Sequence, residues 1–259
     1  MTFIDLNADL GESFGAYTIG SDTELLQIVS SANIACGFHG GDPSVMAKTI
    51  RMAKRQKVRV GAHPGFNDLA GFGRRVIRGD SPASIRDMIL YQIGAFQALA
   101  QANGAQMSYV KLHGALSNMA MTEAPLADAF IEAITALNSD IPVMAMPLSA
   151  VKTAAKRENI GIIYEAFADR AYLADGMLVP RSHPDAMIHD ARFASDRVLR
   201  MINDNCIIAL DGSKIPVNID SICVHGDNPE AIRIAECLRH DLERAGVTIA
   251  PTPIRNHHE

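Results

Sequence analysis

The sequence of 259 residues has no tryptophan, four cysteines and only 5% aromatic residues. So few aromatic rings provide little material for the stacking platforms that bind single-stranded nucleic acids. The cysteines Cys36, Cys206, Cys223 and Cys237 show no CxxC spacing, so neither a zinc knuckle nor a disulfide framework is predicted. The net charge of −5 also lacks the basic balance of a nucleic-acid-binding domain, and we expect no such partner.

The sequence has no long apolar run, and we expect no targeting signal. No uninterrupted apolar segment approaches the ~20 residues that cross a bilayer. The first residues, MTFIDLNADLGES, carry acids where a signal peptide has a basic start and an apolar centre. The composition, 48% hydrophobic and 20% charged, is typical of a globular protein. We therefore expect a cytoplasmic protein with reduced cysteines and no membrane association.

Short apolar runs alternate with helix-like segments along the chain. Predicted strands lie at residues 3–7, 33–36, 58–62, 109–112, 142–145, 162–166 and 221–224. Predicted helices lie at residues 22–30, 43–55, 82–103, 123–137, 148–159 and 229–245. Ser81, Asp42 and Asp227 precede three of these helices and are predicted caps. Such alternation predicts a parallel sheet, and seven strands without a glycine-rich nucleotide loop after the first favour a closed barrel.

Residues 170–218 interrupt this rhythm. They contain a predicted helix at 188–203 and two short strands, 206–210 and 215–218, on either side of the turn Asp211-Gly212. We predict an α/β fold, a seven-stranded parallel β/α barrel of the TIM type, with an inserted helix and hairpin. Residues 1–259 are predicted to form a single domain.

Four histidines each close a predicted strand and are followed at once by glycine or proline: His39, His63, His113 and His225. The carboxyl ends of parallel barrel strands gather on one face, where barrel enzymes build their active sites. We therefore expect the four side chains to converge. Histidine titrates near neutrality, which suits acid–base catalysis or metal ligation.

Other polar residues are predicted at the same level. Asp5, Asn7 and Asp9 alternate along the first strand and so share one side, as do Lys111 and His113 further on. The candidate catalytic residues are Asp9, His39, His63, Lys111 and His113. The candidate substrate-binding residues are Asn7, Glu12, Arg75, Glu165, Arg170 and His225.

Six blocks in order resemble the signature of the LamB/YcsF family, whose members are also called 5-oxoprolinase A subunits. They read DLNADLGESFG, SANIACGFHGGDP, GAHPGFNDLAGFGRR, VKLHGALSN, EAFADRAY and VHGDNP, and extend from Asp5 to Pro229. The resemblance implies a seven-stranded β/α barrel related to glycoside hydrolase and polysaccharide deacetylase barrels. It also implies ATP-dependent opening of 5-oxo-L-proline to L-glutamate, together with partner subunits B and C.

The chain departs from this signature at four positions. Leu112 and Asn67 stand where the family has proline, Ser117 where it has tyrosine, and Gly40 where it has another residue. Replacing tyrosine by serine removes a ring and a phenol near the predicted mouth of the barrel. The resemblance therefore leaves open which lactam or amide is the substrate.

Opening a lactam is amide hydrolysis, which needs a nucleophile, a base, donors for the oxyanion and an acid for the leaving nitrogen. We expect one histidine or Asp9 to act as base, Lys111 to stabilise developing charge, and Arg75 or Arg170 to hold the substrate carboxylate. ATP would activate the lactam by phosphorylating the ring oxygen. The chain has no GxxxxGK[ST] loop, so ATP binds either to a partner subunit or to helix N-termini and arginines at the barrel mouth.

Two other functions stay open at this point. One is a metal-dependent, deacetylase-like hydrolase in which Asp9, His39 and His63 hold a divalent ion that activates water. The other is a non-catalytic subunit that binds substrate or its partners. The sequence decides neither whether a metal is bound nor whether the chain forms a homo-oligomer.

Overall fold

The computed structural model describes residues 3–138, 140–225 and 229–251. Ten strands occur among these residues: β1 (Phe3–Leu10), β2 (Ser31–Ala35), β3 (Arg59–His63), β4 (Met107–Lys111), β5 (Val143–Ala145), β6 (Ile162–Phe167), β7 (Cys206–Ile208), β8 (Lys214–Pro216), β9 (Ser221–Val224) and β10 (Thr248–Ile249).

Seven of the strands form a closed parallel barrel. The strands β1 to β6 pair in chain order, β9 follows β6, and β9 also pairs with β1 in the register Asp5↔Ser221 and Asn7↔Cys223. The fold is thus the predicted seven-stranded β/α barrel. The short strand β10 adds to β1 outside the ring, next to Phe3.

Eight α-helices occur in the same part of the chain. They are α1 (Asp22–Leu25), α2 (Pro43–Arg55), α3 (Pro82–Ala102), α4 (Gly114–Thr122), α5 (Ala124–Leu137), α6 (Ala150–Arg157), α7 (Ala191–Asp204) and α8 (Pro229–Arg244). The Asp42 carboxylate accepts from the backbone N–H groups at the start of α2, and Ser81 does the same for α3, which confirms both caps. The predicted cap Asp227 lies outside the described residues. No helix among the described residues is both long and apolar enough to span a membrane.

Several elements differ from the prediction, among them the unpredicted strand β10. The strand β1 continues to Leu10, because pairing with β2 through Asp9↔Asn33 overrides the poor strand propensity of asparagine and aspartate. The helix α1 ends at Leu25 instead of residue 30. Helix α4 was not predicted; an extended backbone at Glu123 separates it from α5.

The insertion is present as predicted, with α7 followed by the antiparallel hairpin of β7 and β8. Its first part, residues 177–181, lies over the carboxyl ends of the barrel strands, where these residues line a cavity. This arrangement gives the barrel mouth a cover.

Strand β1 alternates between an apolar outer side and a polar inner side. On β1, Ile4, Leu6 and Ala8 belong to the main hydrophobic core, which packs under the surrounding helices. Asp5 and Asn7 between them are fully buried and hydrogen-bond to Ser221 on the neighbouring strand β9. A barrel interior is usually filled by branched apolar side chains, so the polar row on β1 indicates that this strand positions charged groups above it.

Candidate active site

A cavity of about 420 Å³ opens at the carboxyl ends of the barrel strands. Seven of the sequence-predicted site residues line it: Asp9, Glu12, Lys111, His63, His113, Arg170 and His225. Ser117, where the chain departs from the family signature, lines it too. Parallel strands deliver these side chains to one place from segments more than 200 residues apart.

Lys111 forms the charged floor of this cavity. Its Nζ lies 2.8 Å from Glu165 Oε1, 3.0 Å from Asp9 Oδ1 and 3.2 Å from Cys223 Sγ. Burial favours the neutral amine, but the Asp9 and Glu165 carboxylates more than offset it and raise the pKa of Lys111 well above its usual value. Lys111 is therefore an ammonium ion at neutral pH, a form that suits the stabilisation of negative charge and not proton abstraction.

Asp9 is held by the polar interior beneath it. Its Oδ1 accepts from Lys111 and, at 2.8 Å, from Asn33 Nδ2. Asn33 also donates to Asn7 Oδ1 at 2.7 Å, and Asn7 donates to Ser221 at 2.8 Å. Burial alone would raise the pKa of Asp9, but its contacts with His63 and with the Lys111 ammonium hold it well below its usual value. Asp9 is thus a fixed carboxylate facing the cavity.

Three histidines cluster beside Asp9. His63 Nδ1 lies 2.8 Å from the Lys111 carbonyl oxygen, and His113 Nε2 lies 2.8 Å from the carbonyl oxygen of Phe72. The remaining nitrogens, His63 Nε2 and His113 Nδ1, face each other at 3.0 Å. His39 is fully buried and stacks on His113 with 3.6 Å between ring centroids. Burial lowers the pKa of both His39 and His113 well below the usual value, so their rings are neutral.

His225 forms a dyad with Asp169, which the sequence analysis did not pair. Its Nδ1 lies 2.6 Å from Asp169 Oδ2, which leaves Nε2 for a ligand in the cavity. Burial disfavours the imidazolium, but the Asp169 carboxylate outweighs it and raises the pKa of His225, with Asp9 adding to the rise and Lys111 opposing it. A histidine oriented by a carboxylate in this way suits general acid–base catalysis.

Positive charge also lines the cavity. Arg170 is 5% exposed, donates from Nη2 to the Val179 carbonyl oxygen at 2.8 Å, and has no hydrogen bond at Nε among the described residues. Burial and the neighbouring guanidinium of Arg181 lower the pKa of Arg170 to about 10, so it stays charged at neutral pH. Arg74 and Arg181 line the same cavity. An anionic ligand would satisfy this arrangement.

Four predicted site residues do not line the cavity. Asn7 and Glu165 lie beneath it and contact Lys111, so they position the charged floor. His39 lies behind His113. Arg75 pairs with the Asp68 carboxylate, and its side chain is 66% exposed.

Within the part of the chain that the structure describes, two groups of side chains have the residue types and spacing of metal ligands. One comprises Glu12, His39, His63 and His113, and its ligand atoms all lie within 4.8 Å of one another. The other comprises Asp9, Cys223 and His225, but the Lys111 ammonium contacts both Asp9 and Cys223. A positive charge already occupies the second group, so only the first fits an added cation.

The structure defines a class: a parallel β/α barrel with a covered, histidine-rich polar cavity at the carboxyl ends of its strands. Residues 4–257 match the LamB/YcsF family, and the chain belongs to that family.

Relatives support the assignment over nearly the whole chain. The 5-oxoprolinase A subunit of Gluconobacter oxydans is 50% identical over 246 residues, covering 95% of this chain and 96% of the relative. That of Pyrococcus horikoshii is 47% identical over 248 residues, covering 96% and 97%. The crystal structure of a lactam utilization protein from Thermus thermophilus superposes with a TM-score of 0.91 at 42% identity, covering 96% of this chain and all of the other.

Proposed function

We propose that this chain is the A subunit of an ATP-dependent 5-oxoprolinase, which opens the lactam of 5-oxo-L-proline to L-glutamate. The names of relatives that align over nearly the full length support the activity. The observation that carries the proposal is the cavity itself. It presents a carboxylate, an ammonium ion, a histidine dyad and a buried guanidinium to a volume that fits a small molecule.

The cavity groups match the parts of a lactam hydrolysis. The Asp9 carboxylate accepts a proton from the attacking water, and the Lys111 ammonium stabilises charge that develops on the reacting oxygen. His225, whose pKa is raised by Asp169, donates a proton to the leaving ring nitrogen. The guanidinium of Arg170 binds the substrate carboxylate.

Coupling to ATP solves a chemical problem, because an unstrained five-membered lactam is a poor electrophile. In the proposed sequence the lactam oxygen attacks the γ-phosphorus of ATP and ADP leaves. Water then adds to the activated carbon, the C–N bond breaks with the nitrogen taking a proton, and a second water releases phosphate from the acyl phosphate. This chain has no P-loop, so we assign ATP binding to the partner subunits B and C.

The same proposal places the complex in the cytoplasm. The support is that none of the four cysteines forms a disulfide: Cys36, Cys206 and Cys223 are buried free thiols, and Cys237 is a partly exposed one. Reduced thiols are the rule in that compartment.

Replacing Arg170 tests the role of the cavity arginine. In the assembled complex with ATP, Arg170→Ala is expected to raise KM for 5-oxo-L-proline at least tenfold, because a buried charge-assisted contact to the substrate is lost. The control is Arg55→Ala, at an exposed position near the end of α2. An unchanged KM in the Arg170 variant would contradict carboxylate binding at this position.

A further inference from the structure

In two cavity histidines, a backbone carbonyl oxygen determines which ring nitrogen carries the proton. His63 Nδ1 lies 2.8 Å from the carbonyl oxygen of Lys111, and His113 Nε2 lies 2.8 Å from that of Phe72. A carbonyl oxygen only accepts, so each of these nitrogens donates. In a neutral imidazole the other nitrogen then carries a lone pair. His63 Nε2 and His113 Nδ1 are therefore both acceptors.

These two acceptor nitrogens lie 3.0 Å apart. The rings are nearly perpendicular, at 89°, so both in-plane lone pairs can converge on one point. Two lone pairs at this separation repel unless a proton or a metal cation lies between them.

A carboxylate completes the cluster. Glu12 Oε1 lies 3.7 Å from His113 Nδ1, and Glu12 is only 7% exposed. No hydrogen bond within the described residues reaches this oxygen. A buried carboxylate oxygen without a partner is costly, so this position calls for a cation or a donor.

We propose that Glu12 Oε1, His63 Nε2 and His113 Nδ1 bind one divalent transition-metal ion of the zinc class. Two imidazoles and a carboxylate are a donor set for such ions, at bond lengths of about 2.0–2.2 Å. Ligand atoms arranged tetrahedrally around such an ion are about 3.4 Å apart. The distance between His63 Nε2 and His113 Nδ1 is 3.0 Å, and that between Glu12 Oε1 and His113 Nδ1 is 3.7 Å, on either side of this value. The hydrogen bonds that His63 Nδ1 and His113 Nε2 donate to backbone carbonyl oxygens are of the kind that orients histidine ligands.

His39 has a different part in this site. Its ring is almost parallel to that of His113, at 4°, so the two rings cannot both aim in-plane lone pairs at one ion. Its Nε2 lies 3.4 Å from Glu12 Oε1, and it does not line the cavity. His39 is therefore a buried neighbour of Glu12 and not a ligand of the ion. The three ligands line the cavity, as a site with an exchangeable position requires.

Metal binding is measured without any reaction, so the outcome does not depend on the proposed oxoprolinase activity. The full chain is stripped with a chelator, titrated with Zn²⁺ by calorimetry, and titrated with Co²⁺ while the visible absorption is recorded. We expect one ion per chain and a Co²⁺ spectrum of a four- or five-coordinate site. Glu12→Gln and His113→Gln should each weaken binding at least tenfold. The control His183→Gln, at an exposed histidine, should not.

The rival occupant is a proton on His63 Nε2, favoured by Asp9 Oδ2 at 3.2 Å. In that case the stripped chain takes up no stoichiometric Zn²⁺, and nitrogen NMR shows a doubly protonated His63 ring. Either that result, or Zn²⁺ binding that Glu12→Gln and His113→Gln leave unchanged in folded variants, would overturn the proposal. Circular dichroism of each stripped variant checks that it is folded.

Discussion

Replacing Lys111 by methionine is expected to lower the free energy of unfolding by about 3–5 kcal/mol, the usual cost of removing one partner from a buried ion pair. Lys111 is 4% exposed and contacts two carboxylates, Glu165 at 2.8 Å and Asp9 at 3.0 Å. Methionine fills a similar volume but leaves both anions without their cation. Urea unfolding followed by circular dichroism at pH 7.5 measures the loss. Lys156→Met, at an exposed lysine of α6, is the control and should change little.

A double-mutant cycle separates this charge effect from a loss of packing. Glu165→Gln should destabilise the wild-type chain, because Lys111 loses one of its two anions. In the Lys111→Met background the same change should instead stabilise, since it removes an uncompensated buried charge. The expected coupling energy is about 2 kcal/mol or more. If Glu165→Gln destabilises both backgrounds equally, the reasoning about the charged floor is refuted.

Two further predictions concern the dyad and the histidine cluster. Asp169→Asn should lower the pKa of His225, measured by NMR, because Asp169 raises it. The pair stabilises the fold most between pH 3.8 and 6.5, the ordinary values of the two groups, and this contribution fades as the pH rises through the elevated pKa of His225. The stability difference between wild type and Asp169→Asn should therefore shrink above pH 6.5, and a constant difference would contradict the pairing. Gly73→Ala should lower the unfolding midpoint more than Gly15→Ala. Both glycines have a left-handed backbone, at φ 63° and 55°, so the backbone strain of the two alanines is similar. Only at Gly73 would the added Cβ also lie 2.8 Å from His113. Equal midpoints would show that the histidine cluster tolerates the added carbon.

The sequence predicted the barrel and the convergence of its strand ends because both follow from simple rules. Alternating strand and helix patterns require parallel strands, and parallel strands in a barrel bring His63, Lys111 and His113 to one face. The two-residue period of a strand also placed Lys111 and His113 on the same side. These residues indeed line one cavity.

Side-chain partners were harder to predict, because they depend on contacts between distant segments. The motif EAFADR showed Asp169 and Arg170 together, but nothing local indicates that Asp169 pairs with His225, which follows β9. The local sequence likewise did not reveal that Arg75 pairs with Asp68 instead of facing the cavity. The depth of His39 follows from its stacking on His113, which a strand pattern does not encode.

The cover of the cavity was also missed, although the insertion was predicted. Its hairpin and helix had local signals, whereas the segment at residues 177–181 has neither helical nor strand periodicity. The polar row inside the barrel has a signal in the sequence, the two-residue alternation along β1. Asp5, Asn7 and Asp9 alternate with apolar residues along β1, which indicates an inward polar row in which Asp5 and Asn7 support the site from below and Asp9 lines the cavity.

Glutamate release from 5-oxo-L-proline tests the central claim most directly. The chain is assembled with its partner subunits and ATP, and the wild type is compared with Asp9→Asn, which keeps the size of the side chain. The account predicts ATP-dependent turnover by the wild type, and a loss of at least 100-fold in kcat for the folded, assembled variant. Equal turnover by the two complexes, or no release by a verified wild-type complex, would contradict it.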